Sequence, residues 1–198
     1  MERNLSLFSR RALENDSLLP AAVAIVLVPC AATSEACVLL TLRPDTLKRH
    51  AGQYGLPGGR LDQGETASEA VIRELHEELR LKISRSDLLG ALDDYPTRSG
   101  FRITPIVAWA KDIRAIRPDP SEIVQLFSIP LSEIDAAALS EPESLAGSDA
   151  PIVSMALPTL GDSLYAPTGA IFYQFREVAL QGRSTRVAHF AQPKFAHR

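Results

Sequence analysis

The sequence predicts one α+β domain in which helices and strands pack in layers. Two apolar runs at residues 21–29 and 36–43 predict a hairpin, and a two-faced helix is predicted from Thr66. Further strands then alternate with helices, which is the third observation. The 198 residues are 45% hydrophobic and 23% charged, as in an ordinary globular domain. We expect a helical N-terminal extension at 1–19, the domain itself at 20–182 and a C-terminal tail at 183–198.

The other elements follow from apolar runs and turn residues. They are a loop at 44–53, a short strand at 54–57, strands at 88–96 and 101–110 joined by a turn at 97–100, a linker at 117–120, a strand at 122–131, a helix at 131–139, a strand at 151–157 and a helix at 168–180. Ser132 is the expected N-cap of the helix at 131–139.

Composition excludes several classes of function. A net charge of -3 and a pI near 5.8 argue against nucleic acid as a partner. The apolar run at 21–32 is too short to cross a bilayer and the first residues lack a secretory apolar core, so we expect no membrane partner and a cytoplasmic location. Cys30 and Cys37 could face each other across a hairpin, but we interpret them as free buried thiols. The four histidines lack ligand spacing.

Three glutamates share one side of the helix that begins near Thr66. Thr66 and Glu69 have the S/T-x-x-E form of a capping box. At 3.6 residues per turn, Glu74, Glu77 and Glu78 fall within an arc of roughly 100°. Like charges so placed repel by about 0.2 to 0.5 kcal/mol per pair in an isolated helix. A bound Mg²⁺ or Mn²⁺ would reverse that repulsion, whereas a solvated acidic face is the alternative.

The acidic helix belongs to a longer pattern, G-x5-E-x7-R-E-L-x-E-E, and six residues that fall at this spacing are Gly59, Glu65, Arg73, Glu74, Glu77 and Glu78. Six residues at this spacing would occur by chance with a probability of about 10⁻⁵. The pattern resembles the box that defines the Nudix family, hydrolases of diphosphates linked to another moiety. The resemblance implies an α/β/α sandwich with a mixed sheet, and it favours a metal site over a solvated face.

The resemblance also implies roles for the box residues. Glu74, Glu77 and Glu78 would hold Mg²⁺ or Mn²⁺, with Glu77 as general base and Glu74 or Glu122 as alternatives. A pair formed by Glu65 and Arg73 would brace the loop against the helix.

Two further positions of the box concern backbone geometry. Gly58 and Gly59 permit the close backbone approach that a phosphate-lining turn requires, although an ordinary loop is the alternative. One position departs from the box, since Arg80 stands where the family has glycine. We expect a left-handed helix end there, at a cost of roughly 1 kcal/mol, or a different helix end.

An upstream segment, residues 39–59, resembles the motif LLT-x-R-[SA]-x3-R-x3-G-x3-F-P-G-G of the coenzyme A diphosphatase subgroup. Eight positions match, and they are Leu39, Leu40, Thr41, Arg43, Gly52, Pro57, Gly58 and Gly59. Three positions depart, and they are Pro44, Lys48 and Leu56. Arg43 and Lys48 would bind anionic groups of the substrate, with a solvated basic loop as the alternative. Glu122 resembles an acid near the metal in these enzymes, or it is an exposed strand-end residue.

These resemblances imply hydrolysis of a small-molecule diphosphate substrate, with coenzyme A or acyl-coenzyme A cleaved to 3',5'-ADP and a 4'-phosphopantetheine. Two alternatives are open: another Nudix substrate, such as ADP-ribose, a nucleotide sugar or a dinucleoside polyphosphate, and a nucleotide-sensing module without catalysis. Dimers are common in the family, so a homodimer is also open.

Overall fold

The computed structural model describes residues 1–31, 33–46, 52–140 and 151–193. The helices are α1 (Glu2–Leu7), α2 (Ala67–Leu79), α3 (Leu131–Ala136) and α4 (Thr168–Phe175), with a 3₁₀ turn at Arg85–Asp87 and a π-helix at Arg176–Leu180 that continues α4. The strands are β1 (Leu19–Pro29), β2 (Ala36–Leu42), β3 (Tyr54–Gly55), β4 (Gly58–Arg60), β5 (Leu88–Ala91), β6 (Tyr95–Pro96), β7 (Phe101–Trp109), β8 (Gln125–Pro130), β9 (Leu139–Ser140), β10 (Ser154–Leu157) and β11 (Asp162–Tyr165).

Strand β1 is the centre of a mixed sheet. It pairs in parallel with β7 and antiparallel with β2 and β4, while β8 pairs with β2 and β5 with β7. Successive side chains of a strand point to opposite faces of a sheet. Accordingly, Ala24 and Val26 pack with α2, whereas Ile25 and Leu27 pack with α1, α3 and α4. Helices therefore cover both faces, and the predicted α/β/α arrangement with a mixed sheet is confirmed.

Helix α2 begins where the sequence predicts. Thr66 accepts a hydrogen bond from the backbone of Glu69, and the Glu69 carboxylate accepts one from the backbone of Thr66. The helix ends at Arg80, which adopts a left-handed conformation with φ of 55°. The N–H groups of Arg80 and Leu81 donate to the carbonyls of His76 and Leu75, each at 3.0 Å, and so close the last turn. Arg80 therefore takes the conformation that glycine adopts most easily.

The two cysteines form a disulfide, so the prediction of free thiols is wrong. Cys37 pairs with Val28 in the antiparallel hairpin, and the Cys30 N–H donates to the carbonyl of Glu35 at 3.1 Å. This register brings the two Cα atoms to 5.2 Å, within the range that a disulfide spans.

The prediction that Ser132 caps α3 is also wrong. Pro130 is the N-cap, because β8 runs directly into a helix that ends at Ala136. The Ser132 N–H instead donates to the Glu35 carboxylate at 3.0 Å.

The C-terminal part of the described chain forms a second small antiparallel sheet, β9–β10–β11, beside α4. The predicted helix at 168–180 is confirmed as α4 and its π-helical continuation. None of the helices in the described ranges is both long enough and apolar enough to cross a bilayer.

Candidate active site

Arg73, on α2, links three carboxylates to the loop that precedes the helix. Its guanidinium contacts both oxygens of Glu65 at 3.0 Å, Glu74 at 2.8 Å and Glu77 at 3.3 Å. It also donates to the Arg60 carbonyl at 2.9 Å. The hydrogen bonds that Arg73 donates to Glu65 lower the pKa of Glu65 and raise the pKa of Arg73. Arg73 thus ties the strand end at β4 to the acidic face of α2 and keeps Glu65 ionised.

Glu78 is the most deeply buried of the site carboxylates. It is 3% exposed, and its Oε2 accepts a hydrogen bond from the Gly58 N–H at 3.0 Å. Among the described residues, the guanidinium that pairs with Glu78 is that of Arg43, which lies 3.8 Å from Oε1. Burial, together with the nearby charges of Glu122 and Glu74, raises the pKa of Glu78 to about 8. Burial likewise raises the pKa of Glu74.

Glu122 reaches the site because its loop is fixed to the end of α2. The N–H groups of Arg117 and Asp119 donate to the carbonyls of Leu79 and Glu78, both at 2.8 Å. These bonds satisfy carbonyls that a helix end leaves without partners. Arg43 then lies between Glu122, at 3.9 Å, and Glu78.

The glycine pair occupies backbone positions that leave no room for a side chain. A Cβ at Gly58 would overlap the Ala22 carbonyl, and one at Gly59 would overlap the Glu74 carboxylate. Gly58 also has a φ of 146°, which side-chain-bearing residues rarely adopt. The turn can therefore lie directly against Glu74 and Glu78.

The predicted site residues fall into two neighbouring groups. Glu78, Glu122 and Arg43 lie with Glu74 around the Gly58–Gly59 turn, whereas Glu77 is 55% exposed and extends along Arg73. Lys48 lies outside the described residues.

The carboxylates of Glu74 and Glu122 lie near the buried carboxylate of Glu78, and their oxygens are suitable ligands for a hard divalent cation. A bound cation would offset both the burial and the like-charge repulsion that raise the pKa of Glu78. Within the described ranges, however, no three His, Cys, Asp or Glu side chains are already grouped as a metal site. Arginines contact these acids instead.

A groove leads away from the glycine turn. Its first section is a cleft of about 290 Å³ lined in part by Arg43, Gly58 and Arg60. Val23, Arg43, Phe101 and Ile103 also line the next cavity, of about 180 Å³, which reaches Thr168 and Gln192. A third section of about 210 Å³ continues from Tyr54 to β11.

Sequence reasoning did not identify Arg60, Phe101 or Gln192 as groove residues. The Arg60 guanidinium lies over the Phe101 ring at 4.9 Å from its centroid, so both side chains border the first section. Arg60 directly follows the glycine pair in the sequence, and this position beside the motif could have identified it as a groove residue. Gln192 belongs to no motif in the sequence.

Comparison with known proteins gave a family match and a set of relatives. The model of the NUDIX domain matches residues 19–151. The chain is 40% identical over 111 residues to "Uncharacterized Nudix hydrolase NudL" of Yersinia enterocolitica, covering 56% of this chain and 57% of that protein. It is 37% identical over 123 residues to the protein of the same name from Yersinia pestis, covering 62% and 61%. The matches thus span less than two thirds of the length of these relatives.

Among solved structures, the chain resembles that of a "MutT/nudix family protein" from Enterococcus faecalis, with a TM-score of 0.51. The two are 17% identical, and the match covers 84% of this chain and 64% of that one. This similarity concerns the fold.

Proposed function

We propose that this chain, which belongs to the Nudix family, hydrolyses a diphosphate bond in a nucleoside diphosphate derivative. Enzymes of this family generally use divalent metal ions. The observation that carries the proposal is Glu78, a buried carboxylate beside Glu74 and Glu122 and next to the glycine turn. A protein without a cationic ligand gains nothing from crowding acids around a buried carboxylate.

Glu74, Glu77 and Glu78 would hold the metal, and Mg²⁺ or Mn²⁺ is the ion that we propose. Bound there, the ion would offset charge on the diphosphate oxygens and lower the pKa of the attacking water. Arg43 and Arg60 line the first section of the groove and would contact the remaining phosphate oxygens.

The residues of the chain supply positioning and proton transfer. Arg73 holds Glu65 and the strand end of Arg60, so the loop stays against α2. Water adds to one phosphorus, the bridging oxygen leaves with the other phosphorus, and a carboxylate accepts the proton of the water. We propose that Glu77 acts as that base instead of holding the metal, because it is the most exposed of Glu74, Glu77 and Glu78, with Glu74 or Glu122 as alternatives.

Coenzyme A or an acyl derivative is the proposed substrate. The motif from Leu39 to Gly59 supports it, and so does the extended groove, which has a basic first section and a mostly apolar continuation. Such a shape suits a diphosphate joined to a long organic group. Lys48, which the motif predicts to bind an anionic group, belongs to this proposal as well.

The test is incubation with Mg²⁺ and a panel of coenzyme A, acetyl-coenzyme A, ADP-ribose, a nucleotide sugar and a dinucleoside polyphosphate. Mass spectrometry should detect 3',5'-ADP and a 4'-phosphopantetheine from the first two. Cleavage of another member without cleavage of coenzyme A would refute the proposed substrate. Calorimetric binding without any product would favour a nucleotide sensor instead.

A further inference from the structure

We infer that Gln192 forms a specificity subsite in the middle section of the groove, where its amide donates a hydrogen bond to a neutral acceptor on the organic group of the substrate. The inference rests on the proposed function for the diphosphate end of the groove. It concerns a residue beyond the 19–151 segment that the family model matches.

The first argument is an unpaired donor. Gln192 is 3% exposed, and its Oε1 accepts a hydrogen bond from the Arg98 N–H at 3.2 Å. That bond fixes which end of the amide is oxygen. The other end, Nε2, has no hydrogen-bond partner among the residues that the structure describes. A buried donor without a partner is unfavourable, so an acceptor on a ligand that reaches it would remove that cost.

The second argument is position. Gln192 lines the cavity of about 180 Å³ that shares Arg43 and Phe101 with the cleft at the glycine turn. Arg98, which holds its Oε1, belongs to the turn whose neighbours Thr97 and Ser99 line the same cavity. A substrate with its diphosphate at Gly58 and Gly59 would therefore extend its organic group toward Gln192.

The third argument is the chemistry of the lining. Apolar side chains dominate it, namely Val23, Leu56, Phe101, Ile103, Pro167 and Ile171. Of the described residues that line this cavity, the charged one is Arg43, at the end nearest the glycine turn. A neutral group with a carbonyl or ring-nitrogen acceptor fits such a lining, whereas a second phosphate would be desolvated there without a counter-charge. In a coenzyme A substrate, either a pantetheine amide or the adenine ring has this chemistry.

The Tyr95 hydroxyl is the neighbour that could explain Gln192 without a ligand. Burial raises the pKa of Tyr95 to about 12, and Gln192 opposes that rise, so the two side chains are close. The Gln192 amide lies near enough to the hydroxyl to lower its pKa, but the hydroxyl donates to the Phe190 carbonyl at 2.8 Å and Nε2 lacks the distance and angle of a hydrogen bond to it. Tyr95→Phe is therefore the matched control, because it removes this neighbour and leaves Gln192 intact.

The experiment is calorimetric titration of the full chain with 4'-phosphopantetheine and, separately, with 3',5'-ADP. Gln192→Leu removes the whole amide, while Gln192→Glu keeps the acceptor for Arg98 and removes the donor. We expect one of the two fragments to bind about tenfold more weakly to both variants, and the other fragment to bind as it does to wild type. Tyr95→Phe should bind both fragments normally. The fragment that weakens identifies which group occupies the subsite.

Several results would overturn the inference: unchanged binding of both fragments, equal weakening of both, no binding of either to wild type, or a Tyr95→Phe variant that reproduces the loss. Thermal unfolding of each variant checks the fold, and Gln192→Glu serves if Gln192→Leu does not fold. The readout is binding, so it is separable from activity. Selective weakening without any hydrolysis would keep the subsite and reject the hydrolase, whereas hydrolysis of coenzyme A with unchanged fragment binding would do the reverse.

Discussion

Asp94 and Glu78 are equally buried carboxylates, each 3% exposed, yet their surroundings differ. Asp94 accepts hydrogen bonds from the Leu13 N–H at 2.9 Å and the Thr104 hydroxyl at 2.7 Å, and it pairs with Arg10. Glu78 accepts one from the Gly58 N–H, faces an arginine at 3.8 Å and has acids for neighbours. Full pairing is typical of a structural carboxylate, whereas crowding with like charges indicates one that is arranged for a ligand.

Asp93, next to Asp94, strengthens the comparison. It accepts hydrogen bonds from the Arg11 N–H at 2.7 Å, Gln174 at 2.9 Å and Arg186 at 2.7 Å. These donors come from both ends of the described chain. The aspartate pair therefore fastens the N-terminal and C-terminal segments to the sheet.

The largest effect should come from Glu78→Gln. We expect kcat on the cleaved substrate to fall about a thousandfold, since several kcal/mol of transition-state stabilisation would be lost with the metal. Urea unfolding with a chelator present should give a free energy equal to or above that of wild type, because the amide relieves the like-charge repulsion. Glu69→Gln, the same substitution on an exposed part of α2, is the control and should retain activity. A Glu78→Gln variant with over half the wild-type rate would refute the site.

Asp94→Asn should do the opposite. We expect the free energy of unfolding to fall by about 3 kcal/mol, because the buried Asp94 carboxylate pairs with Arg10 and accepts hydrogen bonds from the Leu13 N–H and the Thr104 hydroxyl, and an amide cannot replace all of these interactions. The protein that remains folded should turn over at the wild-type rate, as measured by kcat against the folded fraction. Asp112→Asn is the matched control, since Asp112 forms an exposed pair with Arg114 at 2.9 Å and surface pairs contribute little. Equal destabilisation by both variants would count against the distinction.

Arg80→Gly should stabilise the protein by about 1 kcal/mol without changing kcat. Arg80 has a φ of 55°, where glycine is unstrained, although the added freedom of the unfolded chain offsets part of the gain. Chemical denaturation measures the change. Lys82→Gly, at an exposed position two residues further on, should give no such gain. A change in kcat would mean that the helix end influences the acids after all.

The smallest effect should be a pH dependence at Glu69. Hydrogen bonds from Thr66 lower its pKa from 4.5 to about 2, with Arg85 contributing. A lowered pKa stabilises the fold above pH 4.5, and this contribution is lost as the pH falls toward 2. The difference in Tm between wild type and Glu69→Gln should therefore be largest near neutral pH and shrink below 4.5. A difference that does not vary with pH would indicate that the carboxylate charge is irrelevant.

Local patterns predicted the parts of the fold that local interactions determine. The capping box located the start of α2, and the two apolar runs located β1 and β2. The 3.6-residue periodicity of α2 predicted that Glu74 and Glu78 share one side of the helix, and both contact the Gly58–Gly59 turn. The disulfide was missed because it depends on the hairpin register, which a six-residue gap between the apolar runs does not determine.

Long-range contacts explain the remaining misses. Arg10 and Arg11, which contact Asp94 and Asp93, lie more than 80 residues away from them in sequence. Gln192 meets the 97–100 turn across a separation of 94 residues. Neither separation leaves a periodic signal, so only the tertiary structure brings these side chains together.

The connected groove has a consequence for how such a protein can diversify. The family match that includes the acids ends at residue 151, whereas the far wall is lined by Thr168, in α4, and by Gln192, in the segment that follows the π-helix. Substitutions in this later part of the chain, which includes Thr168 and Gln192, can change the length or polarity of the groove without changing α2 or the Gly58–Gly59 turn. Under the proposed function, the residues that would carry out hydrolysis and those that would contact the organic group therefore lie in separate segments of the chain. Substitutions in one segment can accumulate without changing the other.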